Sequence, residues 1–421
     1  MKFNKWTLGL AALGVVSLAS AAKADEKSAP TFLETAVSST TISGYVNTSA
    51  HWDIGSGNGS NPGYAFNTPA KADGFVLDVV KIAISKPLDE SEWASGYNVE
   101  LLYGPDANSF GTSPGGGVIG SDFAIKQAYV ELRTPVGNGI DWKFGVFDTI
   151  IGYEVFDAGS NPNYTRSYGY SIEPTTHTGL LASYKFADWI SAQAGIANTT
   201  GPIIGGTTVG APFAAISLGS SAPSKAESYK TYMASVALTA PQSWGAMAGS
   251  TLYGGVVHGL GGGIAQTGVL TSWYAGTVIN TPVKGLRFGA SYDYFGRNGS
   301  GLAVSDAWAN SVAVYASFQA TDKLSLHARA EYFWEDTGGG PIATPAGAGG
   351  PLSSVWALTG TVQYDLWKNV LSRLEIRWDQ ANSNVYGSGL AQIGGTTAGA
   401  KSTAPDNKGH VLVAANLIYK F

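Results

Sequence analysis

Three observations predict an all-β chain, a transmembrane antiparallel up-and-down β-barrel of about sixteen strands. Apolar and polar residues alternate with period two over segments of roughly ten residues, as in a strand with lipid on one face and water on the other. Charged residues are only 13% of the chain, against about 25% in a water-facing globular domain. The links between the alternating segments are short and long in turn, while no run reaches the ~18–20 apolar residues of a transmembrane helix.

The N-terminus carries Lys2 and Lys5, an apolar run from Leu8 to Leu18, and Ala22-Lys23-Ala24, a small-x-small cleavage pattern. This reads as a secretory signal peptide over residues 1–24, outside the fold. Residues 25–40 are a short polar periplasmic lead, and residues 41–421 are expected to form one barrel domain. Without the leader's three lysines, 22 basic residues face 30 acidic ones, a net charge of −8. That balance argues against nucleic acid as a partner. There is no cysteine, so neither disulfides nor thiolate metal sites hold the chain together.

The first strand sets Ile42, Gly44 and Val46 against Tyr45, Asn47 and Ser49. Residues 76–88, 93–106 and 121–135 follow, the last with Ala128, Val130 and Leu132 opposite Gln127, Tyr129, Glu131 and Arg133. A fifth strand carries Trp142, Phe144 and Val146 on one face, and a sixth carries Leu180, Ala182, Tyr184 and Phe186. Segments 189–200, 227–240 and 246–258 have softer parity because small residues fill both faces, and 267–281 has aromatics on both parities, which leaves its orientation open. From 286 the alternation is plain: Leu286, Phe288, Ala290, Tyr292 and Tyr294 point out, with Arg287, Ser291, Asp293 and Arg297 behind them. Segments 308–320, 324–336, 354–366 and 370–381 repeat the pattern. The chain ends on Val411, Val413, Ala415, Leu417, Tyr419 and Phe421 in strict alternation.

Short links at 187–188, 241–245, 282–285, 321–323 and 367–369 read as periplasmic turns. Long links at 54–75, 107–120, 201–226, 337–353 and 382–409 read as outer loops. An even strand count brings the last strand beside the first and leaves no edge unpaired in lipid. Trp93, Trp142, Tyr153, Trp189, Trp244, Trp334, Trp356, Trp367 and Tyr419 lie near strand ends, where amphipathic rings would form headgroup girdles.

The link between the fifth and sixth strands departs most from this pattern. It is rich in charge, glycine and tyrosine, and is expected to fold inward and narrow the lumen. Its candidate constriction residues are Glu154, Asp157, Arg166, Glu173 and His177. Across the barrel, inward parity places Arg287, Asp293, Arg329, Glu331, Arg373, Glu375 and Arg377 on a mixed wall. Acid on the loop would then face arginine on the wall and set up a transverse field. Charge of this kind costs ~2–4 kcal/mol against lipid and is tolerable in a hydrated lumen. The competing reading is an ion-pair network knitting a closed barrel, which the strand count disfavours, because about sixteen strands enclose an aqueous channel. Tyr129, Tyr153, Tyr164, Tyr168 and Tyr170 would stand near the path.

Catalysis finds little support. His51, His177, His258, His327 and His410 are scattered one per region, with none in a metal-binding pair. The glycine runs at 115–117 and 261–263 fit no phosphate-binding motif. No enzyme activity, cofactor or metal is expected.

Gly145-x-Phe147, then Ile151-Gly152-Tyr153-Glu154, on through Asn163 and Ser167 to Pro174-Thr175-Thr176-His177-Thr178-Gly179, resembles the β-barrel porin family described as OmpL-like. Where that family often has Gly-Lys-Phe, this chain has Gly145-Val146-Phe147, one inward charge fewer. The resemblance implies an outer-membrane porin of a Gram-negative-type bacterium. The function expected is passive diffusion of small hydrophilic solutes through a barrel narrowed by loop 154–174. The alternative is a structural or adhesive barrel with a closed lumen. Expected partners are outer-membrane lipid, the barrel-insertion machinery reading the strand that ends at Phe421 and, by analogy with porins of this size, two further copies in a homotrimer.

Overall fold

A computed structural model describes residues 39–55, 61–68, 71–108, 122–201, 204, 230–260, 269–298, 306–336, 354–387 and 407–421. The proposed leader and all but the end of the lead therefore lie outside the described residues. Sixteen strands run in chain order: β1 Thr41–Asp53, β2 Gly74–Lys86, β3 Ser95–Tyr103, β4 Phe123–Thr134, β5 Ile140–Asp148, β6 Thr176–Ala187, β7 Ile190–Ala197 and β8 Thr231–Thr239. They continue with β9 Thr251–Leu260, β10 Val269–Asn280, β11 Leu286–Asn298, β12 Ala307–Gln319, β13 Leu324–Asp336, β14 Ser354–Trp367, β15 Val370–Ala381 and β16 Gly409–Lys420. Among the described residues two short α-helices accompany them, α1 Pro105–Asn108 and α2 Tyr168–Ile172.

Each strand pairs antiparallel with its sequence neighbour, and β1 pairs with β16 to close the barrel. Phe421, just after β16, completes the seam: Phe421 N–H donates to Gly44 O at 3.0 Å and Gly44 N–H donates to Phe421 O at 2.8 Å. Closure satisfies every strand edge within the sheet, which hydrocarbon demands. The turns follow their own chemistry. Lys368-Asn369 joins β14 to β15 with Asn369 at φ 69°, a left-handed conformation that asparagine tolerates better than most side chains.

The alternation of the sequence becomes the two faces of the wall. Phe144, Val236, Phe288, Leu358, Leu374, Ile376 and Leu417 are exposed on the outside, while Asp293, Arg329, Glu331, Arg377 and Asp379 are buried inside. Strand β10, whose parity the sequence left open, turns Leu270, Tyr274 and Val278 inward and exposes Trp273 and Ile279. Trp93, Trp189, Trp244 and Trp367 are exposed beside short turns. At the opposite end, Tyr332 lies against both Trp334 and Trp356, with ring centroids 5.2 and 4.4 Å apart.

Three details correct the sequence reading. Tyr153 is not a girdle residue: it lies inside the barrel, stacked on Tyr315. The predicted strand over 93–106 stops at Tyr103, after which α1 turns Asp106 inward to Lys71 at 2.6 Å. Residues 242–247 form a 3-10 turn, so β9 starts later than the predicted 246.

Candidate functional site

Residues 149–175 leave β5 and return to β6 with their roots tied together. Thr149 N–H donates to Thr175 O at 2.9 Å, and His177 Nε2 lies 3.0 Å from Thr149 Oγ. His177 therefore belongs to β6 rather than to the loop. It is buried, with Nδ1 3.5 Å from Thr199 O, and braces the loop's root. Between the roots the chain makes a 3-10 turn at Ala158–Ser160 and then α2, where the Ser167 side chain accepts from Tyr170 N–H. An irregular segment carries many main-chain N–H and C=O groups with no ladder partner, and away from water each needs one from elsewhere. The inner wall supplies them.

On β13 to β15 the partners are charged. Arg329 reaches Glu154 at 2.7 Å and Glu331 at 2.8 Å, and donates to Thr165 O at 2.7 Å. Arg377 binds Asp379 at 2.9 Å and donates to Arg166 O at 2.7 Å. Glu375 accepts the N–H groups of Tyr164 and Thr165 at 2.6 and 2.8 Å, together with the Thr165 and Thr361 hydroxyls. Glu331 accepts Tyr168 N–H at 2.8 Å. Arg373 donates to the carbonyls of Ala158 and Asn161. Arginine of the wall thus binds the loop's carbonyls, and glutamate of the wall binds its amides. Ion pairs alone would not fix the backbone; these bonds do.

The other loop residues go elsewhere. Asp157 faces β1 and β2 rather than the arginine wall: it pairs with Lys81 at 2.6 Å and accepts from Tyr45 Oη at 3.0 Å. Burial pushes its carboxyl up, but Lys81 and Lys126 outweigh that and hold it below its ordinary range. Arg166 gives its N–H groups to Tyr164 O and Phe156 O and lies beside the rings of Phe66 and Tyr170, 5.5 Å from each centroid. Glu173 meets Asp293 of β11. Burial first, then the Asp293 carboxyl and a hydrogen bond to it, push Glu173 well above the usual carboxylate range. That shift favours its neutral form, which can donate to Asp293. Gly152, at φ 120°, sits flush against this carboxyl, where any Cβ would overlap it.

Toward β6 to β10 the contact is apolar. Phe147, Ile150 and Ile151 pack with Leu181, Met233, Tyr253, Val257 and Tyr274. Its polar fastening is the Tyr253 hydroxyl, which donates to Ile150 O. Tyr153 continues this side by stacking on Tyr315 with centroids 4.0 Å apart. Its hydroxyl fills the space over Gly289, where a Cβ would collide with it.

A second inward segment was missed. Residues 61–68 and 71–73, part of a link read as an outer loop, lie over the first loop. Ala65 N–H donates to Ser171 Oγ at 2.8 Å. The Tyr64 ring covers the Arg377 guanidinium at 3.7 Å, and Lys71 is buried between Asp78 and Asp106 at 2.7 and 2.6 Å. Two aromatics and a lysine in an otherwise Gly/Ser/Asn-rich stretch were the available signal. Of the predicted wall, Arg329, Glu331, Arg373, Glu375 and Arg377 meet the main loop at its centre and Asp293 meets it at Glu173. Arg287 stands below them, toward the short turns. Tyr164, Tyr168 and Tyr170 are buried in packing between loop and wall.

The family described as "Putative beta-barrel porin-2, OmpL-like" matches residues 39–421. Comparison with curated protein sequences finds no match. Among solved structures, the chain is similar to the anion-selective porin from Comamonas acidovorans, at 13% identity and a TM-score of 0.54, over 91% of this chain and 99% of that one. It is similar to the outer-membrane channel DcaP of Acinetobacter baumannii, at 13% identity and TM-score 0.53, over 92% and 99%. It also resembles Vibrio cholerae OmpT in its trimer form, at 11% identity and TM-score 0.52, over 91% and 99%.

Proposed function

The chain belongs to the OmpL-like β-barrel porin family, and from that premise we propose that it is an outer-membrane channel for passive diffusion of small hydrophilic solutes, narrowed by loop 154–174. The observation that carries this reading is the span of the loop. One segment bonds to Lys81 of β2, Arg329 of β13 and Tyr253 of β9, strands on different sides of a closed barrel, so it crosses the bore rather than lining one wall. In this reading the eyelet residues are Glu154, Asp157, Arg166 and Glu173 from the loop. They are set by Arg329, Glu331, Arg373, Glu375 and Arg377 of the wall and by Asp293 of β11.

Selectivity between simple ions is expected to be weak. Glu154 and Asp157 are each in contact with a basic partner, and burial and Asp293 push Glu173 toward its neutral form. Planar-bilayer recording of the purified protein tests both statements. Discrete conductance steps with a reversal potential near zero in a potassium chloride gradient are expected. Absence of steps at any voltage would leave the closed structural barrel standing. That second reading is favoured by one observation, the full burial of Arg329, Arg377 and Tyr168 between loop and wall. A homotrimer, a cleaved leader over residues 1–24 and delivery through the C-terminal strand ending at Phe421 complete the proposal. Cross-linking, N-terminal sequencing of the mature protein and deletion of Phe421 test them in turn.

A further inference from the structure

The outer face of the wall holds a depression that neither the constriction nor the closure of the barrel uses. A cavity of about 730 Å³ opens outward across β10 to β15. Sheet register builds it. Phe288, Ala316, Ala328, Gly360 and Ile376 stand side by side on five successive strands. The small residues in the middle of that row form a floor, and Phe288, Leu358 and Trp378, all exposed on the outside, stand around it. A Cβ at Gly360 would meet nothing nearer than Ile376 Cγ2 at 3.8 Å, so the floor has open space above it.

Its surroundings select the occupant. On β13 and β14 amphipathic rings flank the groove at both ends: Tyr332 and Trp356 toward the loops, Tyr364 and Trp367 toward the short turns. Such rings mark the two headgroup levels of a bilayer, so this wall meets lipid rather than protein. Gly360 is four residues from Trp356 and four from Tyr364, which places the groove near the middle of the ~25 Å apolar band. Hydrocarbon that bridged the groove without entering it would lose its contacts with the floor. A volume within the ~300–1,000 Å³ of small-ligand sites suits a single flexible chain.

Charge chooses the leaflet. The short turns below the groove, 281–285, 320–323 and 368–369, carry exposed Lys284, Lys323 and Lys368 against one acid, Asp322. Lys323 stands at the foot of β13, on the same strand as the floor residue Ala328, with Nζ 5.9 Å from the Tyr364 ring centroid. It donates to Leu366 O at 3.5 Å, which leaves two of its three N–H donors for a phosphate. At the loop end of β12 and β13, among the described residues, the exposed charged side chains are Asp306 and Asp336, with no lysine or arginine exposed there. Lysines draw an anionic headgroup to the short-turn side, and the other end offers none.

We propose that this groove seats one acyl chain of an anionic phospholipid from the leaflet on the short-turn side, with its phosphate at Lys323 and its chain end over Ala328 and Gly360. The five residues from Lys323 to Ala328 span about 17 Å of strand, close to the ~15 Å depth of one leaflet's hydrocarbon. A homotrimer would then form through other strands.

Native mass spectrometry of the delipidated protein in maltoside detergent, titrated with phosphatidylglycerol or with phosphatidylcholine bearing the same chains, tests the proposal without depending on conductance. One tightly held phosphatidylglycerol per chain is expected, with phosphatidylcholine held more weakly. Gly360→Leu, which fills the floor, should abolish the tight site, and Lys323→Gln should weaken it about fivefold. Lys185→Gln, exposed at the foot of β6, should leave it unchanged. Ala328→Leu fills the same floor from the next strand and decides the matter if Gly360→Leu fails to fold. Tight binding that survives both floor variants, or equal retention of the two lipids, would overturn the assignment. So would loss of an oligomer rather than of lipid in Gly360→Leu, which would make the groove a contact between copies. Silent bilayers with a normal lipid titration would refute the channel and leave the seat.

Discussion

Strands β13 to β15 and strands β7 to β10 hold the same loop by opposite means. The first wall offers Arg329, Glu331, Arg373, Glu375, Arg377 and Asp379, each bonded to a named atom of the loop or of its own neighbours. The second offers Met233, Tyr253, Val257 and Tyr274 against Ile150 and Ile151. Directional bonds fix where the loop's backbone lies, because a charged group away from water must have its partner or lose several kcal/mol. Apolar contact fixes only how closely it lies, because its energy follows area rather than angle. The loop is located by one wall and pressed by the other.

Removing a charge from the locating wall should have the largest effect. Arg329→Met leaves Glu154 and Glu331 facing each other without their shared cation, and a broken buried pair of this kind costs ~3–5 kcal/mol. Protease cleavage within 150–175 of the otherwise folded barrel should rise sharply, and adding Glu154→Gln should recover part of the loss. Cleavage no faster than in the parent would mean the pairs do not locate the loop.

On the pressing wall, Ile151→Ala should cost less, in the lower half of the ~2–5 kcal/mol range for such truncations. Ile151 rests on Gly255, so neighbouring backbone can partly fill the space. The measurement is guanidinium unfolding in detergent, and a cost matching Arg329→Met would erase the contrast between the walls.

The Glu173–Asp293 contact is intermediate, since it joins two carboxyls rather than opposite charges, and burial favours the neutral form of Glu173. The carboxyl of Glu173 is raised in the folded protein, so its contribution is fully present below the ordinary carboxylic pKa and is lost as pH rises through the raised value. The loop's end should become more accessible as pH climbs above the normal carboxylate range. Glu173→Gln, which cannot ionise, should flatten that dependence; an identical pH profile in the variant would remove the contact from the account. The smallest effect belongs to Tyr253→Phe, which deletes one hydrogen bond to Ile150 O and should cost about 1 kcal/mol, read from the same unfolding curves.

How far the sequence carried these conclusions depends on what alternation encodes. Parity along a strand is local, so it identified the inner face of β11, β13 and β15 and with it most of the wall. Height along the barrel is not local, because it depends on strand tilt and stagger summed around the sheet. That is why Asp157 was expected opposite arginine and instead meets Lys81, and why Arg287 stands beneath the loop rather than beside it. Loops have no period to read. The inward turn of Tyr64, Phe66 and Lys71 follows from partners on other elements, namely Arg377, Arg166 and Asp78. His177 was assigned to the loop because Pro174 and a polar run precede it, although the β-branched Thr176 and Thr178 flanking it favour the strand it occupies.

The seam at Gly44 and Phe421 has a consequence for the order of assembly. Its two bonds join β1 to the residue that follows β16, so the cylinder cannot shut until the sixteenth strand has arrived. The long loop has partners on β2, on β9, and on β13 and β15, so it too must wait until nearly the whole chain has arrived. Contacts so distant along the chain make folding slow, with exposed edges in the meantime. Filling the bore and closing the wall are thus tied to the same late step, and the unclosed sheet is the species exposed to aggregation until then.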